Sequence, residues 1–227
     1  MNLATQRFVS VIALASGMAL LTGCTSPPSA SPASSTAPTK SKPAPSATPR
    51  PSLTPTLDVS FEGVEDVVTA TGSIEWIERM FVEEQFSVAS ADDGAGSWSY
   101  LDESTDCEIA FYQGQIFDLD KSQDDRTMSD WMIASLAFQA TPTAEDLELI
   151  KANGVDDTIP IVNDGGQVAV RVIAGQAQDG GTLVLASRMI GIQGGGLTIS
   201  IVCPDGSDAS AEYLTLVDSF LRVNVKP

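Results

Sequence analysis

Apolar and polar positions follow three different rhythms along this chain. From Phe8 to Leu21 the residues are apolar almost without interruption, a run of about 14, which is shorter than the ~20 needed to span a bilayer as a permanent helix. From Thr25 to Thr56 apolar periodicity vanishes, and the stretch is built almost wholly of Pro, Ser, Thr and Ala. Beyond it, short alternations and helical spacings begin. Leu57–Phe61 and Val64–Ala70 alternate weakly, and Gly72-Ser73 breaks them. Ile74–Glu84 reads equally as a strand or as a helical turn. Phe86–Ala89 and Trp98–Leu101 read as short strands around the turn residues Ala91-Asp92-Asp93-Gly94-Ala95-Gly96. Cys107–Ile116 is the clearest early strand, with Cys107, Ile109 and Phe111 on one face and Glu108, Ala110 and Tyr112 on the other.

An acidic loop from Asp118 to Asp125 then leads to a helix expected at Met128–Phe138. A second helix is expected at Ala144–Asn153, because Thr143 can cap it, Asp146 follows three residues later, and Gly154 ends it. Three strands follow as a meander: Gln167–Ala177, Thr182–Ile192 and Leu197–Cys203. A two-residue turn at Asp179-Gly180 would set Val170 opposite Met189, Val172 opposite Ser187 and Ala174 opposite Leu185. A short odd-numbered loop at Gly194–Gly196 would bring Leu197, Ile199, Ile201 and Cys203 onto the same face. Ala209–Arg222, with Leu214, Val217 and Leu221 at helical spacing, is expected to be the amphipathic helix that covers it. The same register sets Arg171 directly opposite Arg188 on the other face, near Thr198 and Ser200. Like charges so placed repel, so either nearby Asp and Glu neutralise them or they form a site for an anion or carboxylate.

Composition sharpens this picture. All 30 Asp and Glu lie from Asp58 onward with only eight of the 12 Lys and Arg, so the folded part carries a formal charge of −22. Such a surface repels phosphate backbones, which argues against nucleic acid, and it repels an anionic membrane surface, so membrane association has to come from an anchor. There is no histidine. That removes the usual general base near neutral pH, the His-containing triads and every His-ligated zinc or iron site.

An anchor is written at the end of the first apolar run. Leu21-Thr22-Gly23-Cys24, preceded by a short start with Arg7 and the apolar core, resembles the cleavage and lipidation box of bacterial lipoprotein signal peptides. The resemblance implies cleavage before Cys24 and a diacylglyceryl thioether on its sulfur; two or three acyl chains anchor stably where one does not. Residues 1–23 are thus expected to be a signal peptide, and 24–57 the lipidated cysteine with a disordered tether. That tether holds nine of the 13 prolines, with Lys40, Lys42 and Arg50 as its charges, and at ~3.1 Å per residue in polyproline II it would reach on the order of 100 Å. Its Ser and Thr beside Pro also resemble O-glycosylated stalks. Residues 58–227 would form one extracytoplasmic domain at the outer face of the cytoplasmic membrane, where an oxidising compartment permits Cys107 and Cys203, both on expected core faces, to form a disulfide.

Motifs for chemistry are sparse. Asp118, Asp120 and Asp124 resemble the opening of a calcium loop, but Gln123 replaces its turn glycine and Ser129 stands where the bidentate Glu belongs, which excludes an EF-hand and leaves a solvated loop or a weaker calcium site. Neither Ser-x-x-Lys nor Gly-x-Ser-x-Gly occurs, and the Gly191–Gly196 run lies between strands instead of opening a helix. Trp76, Trp98 and Trp131 read as core or rim residues, or as sugar-stacking platforms. No catalytic residue, metal site or cofactor is expected from these patterns. From Cys107 onward, the order of one strand, helices, a three-stranded meander ending in Cys and a closing helix is similar to the small actinobacterial lipoproteins with a PsbP-like α/β/α sandwich. That resemblance implies a non-enzymatic binding or scaffold role near the envelope, toward a protein or small ligand. The expectation is therefore an α+β domain with a mainly antiparallel sheet that acts by binding. The alternative is an extracytoplasmic hydrolase using carboxylates or a calcium ion.

Overall fold

The computed structural model describes residues 58–62, 68–69, 72–92, 94–116, 120–162, 165–177 and 180–226. The expected signal peptide, Cys24, the tether, Asp118 and most of the alternation at 64–70 lie outside them. In chain order the elements are β1 (Ser73–Glu78), a 3-10 turn (Met80–Val82), β2 (Phe86–Ser90), β3 (Ser97–Asp102), β4 (Cys107–Gln115), α1 (Asp125–Phe138), α2 (Ala144–Asn153), β5 (Val155–Pro160), β6 (Gln167–Gln176), β7 (Thr182–Ile190), β8 (Gly195–Cys203), α3 (Ala209–Ser219) and β9 (Leu221–Lys226). Seven strands make one antiparallel sheet in the order β2-β3-β4-β8-β7-β6-β5, and β1 pairs with β9 as a separate ribbon. The class is α+β with a mainly antiparallel sheet, as expected. None of the helices among the described residues is long and apolar enough to cross a membrane.

The sheet is covered on both faces. On one, Ile133, Ala134 and Ala137 of α1 and Ile150 of α2 pack on Ile173, Leu183 and Leu185. On the other, Val170, Val172, Val184, Ala186, Ile199 and Ile201 are buried together with Tyr213 and Leu216 of α3 and Trp76, Leu221 and Val223 of the ribbon. Each fully buried aliphatic side chain contributes about 1.5–3 kcal/mol, so both layers are needed to hold the sheet. Local signals set the helix starts. Thr143 and Asp146 form a reciprocal capping box on α2, and Asp124 accepts from the Thr127 amide, which starts α1 three residues earlier than the expected Met128.

The C-terminus corrects the expected helix. α3 ends at Ser219 and buries Ala209, Glu212, Tyr213 and Leu216, whereas Leu214 of the expected stripe is 59% exposed. Both stripes have helical spacing, so spacing alone did not choose between them. Leu221, Val223 and Val225 alternate with Arg222 and Asn224 and form β9 against β1, which also resolves the ambiguity at Ile74 as a strand. β5, with the sequence Val-Asp-Asp-Thr-Ile-Pro, was not anticipated; as an edge strand it carries exposed polar residues and a proline, and so lacks an apolar rhythm.

The register of the β6–β7 hairpin is also corrected. Arg171 lies opposite Ser187, not Arg188, and Ala174 opposite Val184. The Ala177 amide donates to Gly181, and Gly180 sits at φ +92°, so the connection spans three residues instead of two and moves β7 by one position. Such a slip turns every β7 side chain to the other face. β7 tolerates this because Leu183 through Ile190 are all buried, with apolar layers on both sides. The β7–β8 loop is also one residue longer than expected, with Ile190 opposite Gly195. The two differences compensate, and Val170 and Val172 share a face with Ile199, Ile201 and Cys203 as anticipated.

The Cys107–Cys203 disulfide joins β4 to β8 across 96 positions with Cα atoms 4.2 Å apart. The two cysteines extend the register that sets Glu108 opposite Val202, so they are direct cross-strand neighbours at one end of the ladder between two inner strands.

Candidate functional site

Arg171 and Arg188 are not brought together as an anion site would need; each is met by carboxylates of this chain. β6 and β7 pair only as far as Arg171 and Ser187. Beyond that point Val59 bonds to β6 instead, its amide donating to Gln167 and its carbonyl accepting from Ala169. Arg188 lies in this wedge, with Nη2 donating to Ser60 O at 2.6 Å and to Asp125 Oδ2 at 3.1 Å. α1 meets the amides at the end of β7 and just past it: Met189 donates to Ser129 Oγ and Gly191 to Asp125 Oδ1, both at 2.9 Å. Burial pulls the Arg188 guanidinium down to about 10, and the Asp125 charge opposes it, so it remains a cation at neutral pH.

Arg171 faces α1, bonding Asp130 at 2.7 Å and Asp156 at 2.8 Å. Burial raises Asp130, which has one guanidinium partner; burial also works against Arg171, but its bonds to two carboxylates outweigh it and hold Arg171 above the ordinary arginine value. Arg126 ties Asp156 to Glu62. Phe61 has Arg188 and Arg126 over its ring at 4.4 and 4.8 Å from the centroid. Gly154 is required here by space: a Cβ would lie 2.5 Å from Arg171 Nη2. This network locks the N-terminal segment, α1 and β5 onto the sheet. It is structural.

A concave site lies elsewhere. The β1–β9 ribbon crosses β4 and β8, with Trp76 Nε1 donating to Tyr112 O and Thr198 O. The seven-stranded sheet continues past it through β3 and β2, and the step leaves a groove of about 370 Å³. Its walls are Trp76 and Glu78 from β1, Trp98 and Tyr100 from β3, Gln113 from β4, and Val88 and Ser90–Asp92 from β2 and the turn after it. Val88, opposite Tyr100 in the β2–β3 ladder, is 60% exposed because no second layer covers it.

Aromatic packing shapes the groove. Phe111 is the hub: Trp98 stacks on it at 5.4 Å, and Trp76 and Tyr100 meet it edge-on at 5.8 and 6.3 Å. Tyr100 donates to Glu78 Oε1 at 2.8 Å, and burial followed by that carboxylate raises the phenol above its ordinary value. Trp98 Nε1 is buried and has no hydrogen-bond partner among the described residues. The Trp76 amide donates to the Gln113 side chain at 2.8 Å. In chemical terms the groove offers flat apolar surface and two carboxylates, a set suited to binding. Two of the three tryptophans meet here; Trp131, on α1, instead packs against Met128 and Met189. The groove was missed in the sequence because its walls come from positions 76, 88–92, 98–100 and 113, joined only by strand pairing.

The acidic loop is occupied with its own backbone. Asp120 accepts from the amide and hydroxyl of Ser122, and Asp124 caps α1. Among the described residues no three Cys, Asp or Glu side chains are grouped to hold a metal ion.

One buried carboxyl pair carries a pH dependence. Glu212 of α3 is raised to about 7, first by burial and then by the charge and hydrogen bonding of Asp102. Asp102 itself accepts from the amide and hydroxyl of Ser104 and from Gln85. Since the unfolded chain releases this proton near the ordinary value of 4.5, the folded state holds it preferentially, and this contribution is present below pH ~4.5 and is lost as pH rises to about 7. Glu212→Gln should therefore gain stability relative to the parent between pH 5 and 8, by up to about 3 kcal/mol at ~1.4 kcal/mol per pKa unit. Urea unfolding of both proteins at the two pH values measures it; a pH-independent difference would count against the pair.

Comparison with protein-family models and with curated proteins returns no match.

Proposed function

We propose that this chain is a lipid-anchored binding module of the cell envelope, held through Cys24 at the outer face of the cytoplasmic membrane, and that its ligand enters the groove beside β1. The groove is the observation that carries the reading: about 370 Å³ of concave surface with stacked aromatics and a few polar groups, the composition of binding sites generally. The signal-peptide pattern and the proline-rich stretch that follows it support a domain carried clear of the membrane. Helices on one side of the sheet, and a helix with a ribbon on the other, support the likeness to PsbP-like lipoproteins.

Two measurements test the two halves of this reading. In a bacterial host that processes lipoproteins, an alkyne fatty acid should label the parent chain in the membrane fraction, and Cys24→Ala should remain unlabelled and be released. Equal labelling of both would refute the anchor. A photoreactive residue at Val88 should form an adduct with an envelope component, whereas the same residue at Leu136, on α1 across the sheet, should not. Equal adducts at both positions, or none, would refute the groove as the binding site.

A further inference from the structure

We infer that the groove takes an extended polypeptide segment bearing a basic side chain, laid along the outer edge of β1. The inference rests on reading the groove as the binding site and names what enters it. Arg79 donates to Phe220 across the ribbon. By the alternation of an antiparallel pair, Ile74, Trp76 and Glu78 then turn their main-chain groups away from β9. The Trp76 amide confirms that direction, since its acceptor is the Gln113 side chain, placed where the next strand would be. An added strand would bond to Ile74 and Glu78 and take the place of the Gln113 side chain at the Trp76 amide, as peptides add to sheet edges elsewhere. The other edge bordering the groove, β2, carries an irregularity between Val88 and Ser90, and bulges of this kind disfavour strand addition.

The side chains select what is added. Glu78 and Asp92 line the groove of a folded part with 30 acids and eight cations, so a Lys or Arg is favoured there and an acidic segment is repelled. Aromatic faces beside carboxylates suit such a cation, and this chain uses the same chemistry internally, with two arginines over Phe61. An added strand brings main-chain groups for the β1 edge as well as a cation for the carboxylates. An isolated ammonium ion brings the cation alone.

The test uses the full mature chain in detergent and a peptide carrying fluorescein on its N-terminal amine, Thr-Lys-Thr-Val-Thr-Lys-Thr-Val-amide, with an identically labelled norleucine-for-lysine version and n-butylammonium as comparison arms. The lysine peptide should bind, and Glu78→Gln with Asp92→Asn should weaken it about tenfold, while Glu145→Gln with Glu148→Gln, the same charge change on α2, should alter it less than about twofold. Val88→Lys, at an exposed position, should place a cation of the chain's own in the groove and weaken binding independently. Amide hydrogen exchange at Ile74 and Glu78 should slow when the peptide is bound. Equal weakening by the groove and α2 variants, norleucine peptide bound as tightly as lysine peptide, or displacement by n-butylammonium at equal concentration would each overturn the inference. Absence of peptide binding while the Val88 adduct persists would overturn it and leave the groove as the binding site; loss of the adduct as well would remove both.

Discussion

Reducing the Cys107–Cys203 bond should lower the stability of the folded domain by about 4–5 kcal/mol, the chain-entropy expectation for a loop of about 100 residues. The bond spans 96 positions and sits between β4 and β8, the two strands that connect the β2–β3 side of the sheet to the β7–β6–β5 side. Both sulfurs belong to buried residues, so replacement by alanine removes the link and a small volume without exposing a polar group. Urea unfolding of the oxidised chain against Cys107→Ala with Cys203→Ala should show a midpoint lower by roughly 2 M, at a slope of ~2 kcal/mol per M. An unchanged midpoint would mean that the unfolded chain is already held compact by other means. Because the groove is walled by residues from β1 to β4, loosening the β4–β8 junction should also weaken binding there.

Replacing Arg188 by Met should cost about 3–5 kcal/mol, the usual consequence of removing one member of a buried ion pair. Its guanidinium is fully buried and donates to Asp125, Ser60 O and Ala169 O in the wedge between β6 and β7. Methionine fills similar volume but leaves those acceptors without their donor. For a domain of this size the loss corresponds to a fall in Tm of about 10 °C. The paired variant separates the ionic share: in an Asp125→Asn background, where the Gly191 amide keeps an oxygen acceptor, Arg188→Met should cost distinctly less. Thermal unfolding of the four proteins gives this coupling directly, and additive losses would show that Arg188 acts through its carbonyl bonds and its packing on Phe61 and not through Asp125. Salt should change the parent's stability little, since a buried pair is poorly screened.

How far the sequence could be read depended on whether a segment has one buried face or two. β4 has one apolar face, and Cys107, Ile109 and Phe111 are buried where their alternation places them. α2 announces itself through a capping box, a local device that needs no distant partner. β7 is buried from Leu183 to Ile190, so its apolar run carries no period, and only the hairpin loop decides its register. That single residue of loop length separates the expected facing pair of arginines from the two carboxylate networks in which they lie. β5 and β9 escaped for the opposite reason: one is a polar edge, and the other continues a helical-looking stretch into an alternation of six residues. The groove was less legible still, since tryptophans at 76 and 98 become neighbours only after β1 has crossed the sheet to pair with the last strand of the chain.

The sequence by itself determined what is local or compositional: the class of the fold, the capping box of α2, the core faces of β4, β6 and β8, the cysteine pair, and the acidic character of the folded part. These follow from side-chain period, hydrogen-bonding reach within a few residues, and net charge, none of which needs the chain to close on itself. Tertiary structure alone decided that Asp58–Phe61 enters the wedge between β6 and β7, that Glu212 meets Asp102, and that the ribbon stops short of β2. Each of these depends on elements far apart in sequence meeting at a set distance, and a pattern of apolar and polar residues records that a face must be buried without recording what will cover it.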